Sequence, residues 1–221
     1  MGGVPALQFN QNKMNNIATL CHQFESTSIN ETATDESCDM FVCGLHTSGQ
    51  TGLELFRENS FQPTALLFPG KAVKATIKSV HCGWYNTVLL STDGRLWSCG
   101  AGYCYQSGHN QTANVSSFLQ IKSIQHPIRQ LSCGGHHTVA LTTEGDLYVW
   151  GEAREGQLGL SEEPIAGITP TFVPLTEFQK AMKPALKSSK IERVCCGGYH
   201  TLFILSNGTV YACGKNTYGQ W

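Results

Sequence analysis

The sequence predicts an all-β fold: a β-propeller of antiparallel blades, an incomplete ring of about three to four blades. Three observations carry this expectation. The chain writes one unit three times, as CGWYNTVLLSTDGRLWSCG from Cys82, CGGHHTVALTTEGDLYVWG from Cys133 and CGGYHTLFILSNGTVYACG from Cys196. In each copy a Thr falls five residues after the Cys, the Asp, Glu or Asn of a turn eleven after it, and a closing Gly eighteen after it. The closing glycines, with an earlier one at Gly44, recur at Gly44, Gly100, Gly151 and Gly214, steps of 56, 51 and 63 residues. Self-similarity at such a period marks a solenoid or a propeller, and uneven steps suit blades whose connecting loops vary. Finally, the local pattern is β in every copy.

The elements follow in order. Thr87–Leu90, Thr138–Leu141 and Thr201–Leu205 are short, apolar and bounded by Gly and turn residues, which favours strand over helix. Their nearly continuous apolar character suits strands covered on both faces. Asp93-Gly94, Glu144-Gly145 and Asn207-Gly208 are hairpin signals, because the turn needs a positive φ that Gly adopts without strain. Leu96–Ser98, Leu147–Trp150 and Val210–Ala212 are the return strands. Upstream lie the apolar pairs Ile77/Val80, Ile128/Leu131 and Ile191/Val194, a further strand in each unit. Pro63–Phe68 and Pro170–Leu175 are outer strands, since Pro is tolerated at a sheet edge. Three or four strands per repeated unit is the make-up of a propeller blade.

The order CGG-x-HT, then an acidic-Gly turn, then Tyr-x-Trp-Gly, then GQLG resembles the repeat of the regulator of chromosome condensation family. The residues that carry it are Cys133-Gly134-Gly135, His137-Thr138, Glu144-Gly145, Tyr148, Trp150-Gly151 and Gly156–Gly159, with Cys196–Thr201 and Tyr211–Gln220 a second match. Cys82–Gly108 departs at Trp84, Asn86 and Ser107, where the pattern has Gly, His and Leu. Gly49-Gln50-Thr51-Gly52 is a remnant of GQLG. The resemblance covers residues 39 to 221 and implies a ring of seven blades.

The domain reading has five parts: 1–38, a polar tail rich in Asn, Gln, Ser and Thr and mostly disordered; 39–93, 94–144 and 145–207, three repeats; and 208–221, the start of a truncated fourth. The third repeat carries a long loop, 160–190, with Glu162-Glu163, several prolines and lysines. Loops that leave a blade edge are where partner contacts gather. An arc short of a ring is expected to be a piece of a longer protein or half of an assembly, able to self-associate through its open blade edges.

The 221 residues carry a net charge of −1, and no basic run suggests a nucleic-acid surface. No stretch is apolar for the length of a membrane span. The ten cysteines fall largely on two repeat positions, Cys82/Cys133/Cys196 and Cys43/Cys99/Cys213, the second filled by Trp150 in the remaining unit. A position that takes Cys or Trp reads as apolar packing, and without a C-x-x-C pair no metal site is expected. Free thiols point to a cytoplasmic or nuclear protein.

His137 and His200 share their position with Asn86, which reads as a hydrogen-bonding strut for the loop backbone rather than a catalytic base. Gly83, Gly134, Gly135, Gly197 and Gly198 permit tight backbone approach, and Gly100, Gly151 and Gly214 close each unit. Tyr85, His136 and Tyr199 vary more freely and are candidate partner contacts, together with Glu162 and Glu163. No phosphate-binding loop, nucleophile elbow or zinc motif is present, so no catalytic, cofactor or metal residues are expected and the chain does not read as an enzyme. The expected function is a protein-binding propeller module. The resemblance implies guanine-nucleotide exchange on a small GTPase as its sharper form; a scaffold fragment of a larger repeat protein, without exchange activity, is the alternative.

Overall fold

The computed structural model describes residues 40–53, 59–66, 76–160, 167–174 and 189–221. The expected tail, Glu162, Glu163 and most of the 160–190 loop lie outside them. Among the described residues thirteen strands form four antiparallel sheets. The first sheet pairs β1 (Met40–Leu45) with β2 (Asn59–Leu66). The second runs in order through β3 (Ile77–Cys82), β4 (Asn86–Ser91), β5 (Leu96–Gly100) and β6 (Val115–Gln120). The third is β7 (Ile128–Cys133), β8 (His137–Thr142), β9 (Leu147–Gly151) and β10 (Ile168–Val173). The fourth is β11 (Ile191–Cys196), β12 (His200–Leu205) and β13 (Val210–Gly214).

The expected strands are present, the outer ones in part: β2 reaches Leu66 and β10 reaches Val173, while Leu67, Phe68 and Leu175 lie outside the described residues. Pro63 and Pro170 lie in β2 and β10, each with a single strand neighbour, where a missing N–H breaks no second ladder. Strand β6 was not expected. Its buried residues Val115 and Phe118 are three apart, so it lacks the alternation that marks a strand in sequence. The hairpin glycines Gly94, Gly145 and Gly208 take φ of 81°, 102° and 82°, as the Gly after the polar residue of the turn requires.

Successive sheets are joined face to face by separate apolar cores. Met40 packs with Leu89, Trp97, Cys99 and Phe118 between the first and second sheets. Val88, Leu90, Leu96, Ile128, Leu131, Ala140, Tyr148 and Trp150 join the second and third. Val139, Leu141, Val149, Leu158, Val194, Phe203 and Leu205 join the third and fourth. Every residue of β8 and β9 is therefore buried, which is why these strands read as unbroken apolar runs. Along β12 buried and half-buried residues alternate, the pattern of a strand covered on one face. Among the described residues no apolar cluster joins the first sheet to the last, and the ring is not closed.

The first strands of the second, third and fourth sheets share one irregularity. The register of β3, β7 and β11 on its neighbour slips after Ile77, Ile128 and Ile191, leaving Lys78, Arg129 and Glu192 as bulge residues. A bulge re-aims its side chain, and here it aims across to the next sheet. Lys78 donates to the Arg129 carbonyl (3.1 Å), and Arg129 donates to the carbonyls of Ile191 (2.8 Å) and Glu192 (3.1 Å).

The closing glycines are points of close backbone approach in each blade. Gly100, Gly151 and Gly214 have φ of 116°, 99° and 101°, and a Cβ there would strike the carbonyl of Tyr85, His136 or Tyr199 respectively. Gly208 has the same sign of φ and open space around it. Gly208→Ala should therefore cost about 1 kcal/mol, backbone strain alone, and Gly151→Ala about 3 kcal/mol or more, because a backbone atom must also move. Urea midpoints of the two variants check the order; equal losses would refute the assignment of Gly151 to steric contact.

Candidate functional site

A Gly-Gln or equivalent turn follows β1, β5, β9 and β13, and the Gln of that turn is used at both ends. Its side-chain carbonyl holds its own loop, accepting from the N–H two residues back: Ser48 to Gln50, Cys104 to Gln106, Glu155 to Gln157 and Tyr218 to Gln220, at 2.7–3.0 Å. Its main-chain carbonyl is presented to the next sheet. Gln50 O accepts from the Thr87 hydroxyl (2.7 Å) and the Cys99 thiol (3.4 Å). Gln106 O accepts from the Trp150 indole (3.2 Å) and the Asn86 amide (3.3 Å). Gln157 O accepts from the Thr201 hydroxyl (2.7 Å) and the Cys213 thiol (3.5 Å). The position that takes Cys or Trp is thus more than an apolar packing site: both residue types pack in the core and carry one weak or strong donor.

The imidazole of His137 completes the junction. Thr201 spends its proton on Gln157 O, so its oxygen accepts from His137 Nε2 at 2.9 Å. The strut runs to the neighbouring sheet rather than to the loop backbone; the Asn86 amide alone makes the main-chain bond, to Gln106 O. Burial, reinforced by the nearby His200 and His136, pulls His137 down to a pKa of about 4, so it is neutral at pH 7. The preceding glycines make room for these rings: a Cβ on Gly134 or Gly197 would strike the imidazole of His137 or His200, and one on Gly83 the Asn86 amide. Buried thiols are likewise held in the protonated form, Cys196 and Cys213 pushed up to about 12.

Above this buried junction the same loops build an aromatic surface. The loops touch through the main chain, Trp84 N–H donating to Gly135 O (3.1 Å) and Gly135 N–H to Gly198 O (3.0 Å). Because Gly135 and Gly198 lack side chains, the Trp84 indole lies across both of them, and it remains 52 % exposed. His136 and Tyr199 meet it edge-on, with ring centres 5.3 and 5.2 Å away. Tyr85 stacks on His136 at 5.5 Å and 9°, and the Tyr103 hydroxyl lies 3.0 Å from His136 Nδ1. Burial lowers the His136 pKa, opposed by the Glu152 carboxylate, and burial raises that of Tyr103.

The sequence-derived candidates Tyr85, His136 and Tyr199 are therefore brought together, whereas Glu162 and Glu163 lie outside the described residues. Three members of the surface were not singled out from sequence. Trp84 was noted only as a departure from the repeat. Glu152 directly follows Gly151 and Tyr103 lies three residues after Gly100, positions with no recurring chemistry to draw attention to them. Among the described residues no group of His, Cys, Asp and Glu could hold a metal.

Models of the regulator of chromosome condensation (RCC1) repeat match residues 77–106, 128–157 and 191–220, and a second model of that repeat matches 93–141 and 144–204. The chain is similar to the human probable E3 ubiquitin-protein ligase HERC6, 30 % identical over 183 residues, covering 82 % of this chain and 17 % of that protein. It is similar to the mitochondrial RCC1 domain-containing protein RUG3 of Arabidopsis thaliana, 32 % identical over 146 residues, 66 % of this chain and 30 % of that one. Among solved structures it resembles human WBSCR16, with a TM-score of 0.64 and 26 % identity over 80 % of this chain and 43 % of that chain. Prp20p of Saccharomyces cerevisiae, described with its binding to Gsp1p and histones, gives 0.59 and 23 % over 79 % and 39 %. The chain spans less than a third of the length of these two curated relatives.

The buried junction makes stability depend on pH. His137 has a folded pKa near 4 against about 6.5 unfolded, so the unfolded chain takes up the proton first. Stability is lost as pH falls from about 6.5 towards 4, by about 2 kcal/mol between pH 7 and 5. Urea unfolding at the two pH values should show that loss, and His137→Asn should be the less sensitive protein. Equal pH slopes for variant and parent would contradict the buried, neutral imidazole.

Proposed function

The chain belongs to the RCC1 repeat family, and from that premise we propose that it is a protein-binding propeller module whose partner face is the aromatic surface around Trp84. The observation that carries this is a half-exposed indole held in place by three sheets and ringed by Tyr85, His136, Tyr199 and Tyr103. Tryptophan and tyrosine in a rigid setting are the residues that dominate protein interfaces. An ordered indole has already lost its conformational freedom, so a partner does not bear that cost. This aromatic surface is distinct from the open blade edges, since it is formed by loops and not by a strand edge.

The sharper form of this reading is guanine-nucleotide exchange on a small GTPase. Its support is the repeat order itself and the fold shared with Prp20p. Exchange is linkage: a face that binds the nucleotide-free GTPase better than the loaded one lowers nucleotide affinity by the same factor. Binding, not bond-making chemistry, is the proposed activity, and the proposed setting is cytoplasmic or nuclear.

The test is affinity enrichment from a cell extract with the parent protein and with Trp84→Ala/Tyr199→Ala, both checked for native circular dichroism. Partners enriched by the parent and lost in the double variant are expected. An unchanged set of partners would remove this face from the proposal. Release of labelled GDP from a panel of small GTPases then separates exchange from docking: release that needs Trp84 supports exchange, and binding without release leaves a docking module.

A further inference from the structure

The residue after the closing glycine is equivalent in all three copies: Ala101, Glu152 and Lys215. Each donates its N–H to the carbonyl of its own blade's rim residue, Tyr85, His136 and Tyr199, at 2.7, 2.8 and 2.9 Å. The three residues differ in charge (none, negative and positive), and while Ala101 is buried, Glu152 and Lys215 are partly exposed.

At Tyr199 the arrangement is complete. The Lys215 ammonium lies over the ring, 5.4 Å from its centre, and is paired with Glu155 at 3.4 Å. Ring, cation and carboxylate satisfy one another. One blade back, at His136 and Trp84, two of the three parts are present. The rings are there, with the indole half exposed. The carboxylate is there, and Glu152 Oε2 is enclosed without a hydrogen-bond partner among the described residues. Arg154, two residues on, is exposed and forms no ion pair among the described residues, so it does not fill the gap. A carboxylate oxygen left without a donor is costly, and a cation beside aromatic faces recovers that cost.

Resting on the protein-binding reading, we infer that the Trp84–His136–Glu152 corner takes an arginine side chain of the partner, its guanidinium stacked on the open face of Trp84 and its N–H groups directed to Glu152 Oε1, the carboxylate oxygen that is not enclosed. Arginine fits better than lysine. Its planar, weakly hydrated group stacks on an indole and offers donors in the plane at once, whereas an ammonium is a point charge that gives up water reluctantly. His136 meets the indole edge-on, and burial lowers its pKa, which disfavours the charged imidazole that would repel a guanidinium.

The probe is a capped Gly-Gly-Arg-Gly-Gly peptide, set against the same peptide with citrulline, which keeps the shape and loses the charge, and with lysine. Binding is read from chemical-shift changes of the Trp84 indole N–H, assigned with Trp84→Phe. The arginine peptide should bind about tenfold tighter than the citrulline one, the size of a partly desolvated cation–ring contact. Glu152→Gln, nearly isosteric, should abolish that preference, and Lys215→Ala should leave it. Equal binding of arginine and citrulline, no shift of the indole signal, or a preference that survives Glu152→Gln would each overturn the inference. If partner enrichment still depends on Trp84 while the arginine preference is absent, the protein-binding face stands and only its cation chemistry falls. If enrichment is independent of Trp84, the face itself is lost.

Discussion

The stacking of the sheets depends on one kind of acceptor, the main-chain carbonyl of the glutamine in the turn that follows β1, β5 and β9. A carbonyl has two lone pairs, and at Gln50, Gln106 and Gln157 both are used, by donors set twelve residues or more apart in sequence. At Gln50 and Gln157 both donors belong to the following sheet. At Gln106 one comes from each side. The loop that offers the carbonyl is held rigid by the same residue's side chain, so the acceptor arrives in position instead of being ordered on docking. In a core that is otherwise apolar, an unmet carbonyl would be expensive. This makes the stacking of sheets specific: apolar faces alone would tolerate sliding, and the carbonyl fixes the offset.

Much of this was legible in the sequence, and the reason lies in the kind of information a repeat carries. Three aligned copies show which positions vary, so Asp93, Glu144 and Asn207 identify a turn, and Ile77, Ile128 and Ile191 an inner strand, without any single copy being decisive. The same comparison misled at the Cys/Trp position. Substitution of a thiol by an indole looks like a change of apolar volume, and only the geometry shows that the exchange keeps a donor aimed at Gln106 O. Strand β6 stayed hidden because Val115 and Phe118 break the period of two. The aromatic surface was half visible. Tyr85, His136 and Tyr199 share a repeat position and could be grouped, but Trp84 occupies a place where the other copies have glycine, and its neighbours across the surface come from two other blades. Proximity of that kind is written in the closure of the fold, not in the spacing along the chain.

The division of labour between buried and exposed parts follows from this. Bonds that hold the sheets together lie below the loops, in His137, Thr201, Thr87 and the glutamine carbonyls. The residues at the rim are thereby released from structural duty, and adjacent copies carry Tyr, His and Tyr at one position and Ala, Glu and Lys at another without disturbing the junction. At the rim the variation changes the surface, and it can differ from blade to blade because each copy answers only to its neighbours.

The placement of Trp84 links that surface to the order in which the molecule is assembled. Its indole belongs to the second sheet, rests on a glycine of the third and reaches a glycine and a tyrosine of the fourth. No two blades suffice to fix it. The ring can settle into its final pose only when all three are docked, so its emission is a natural gauge of how far the stack has been completed, sited where a partner would feel the difference.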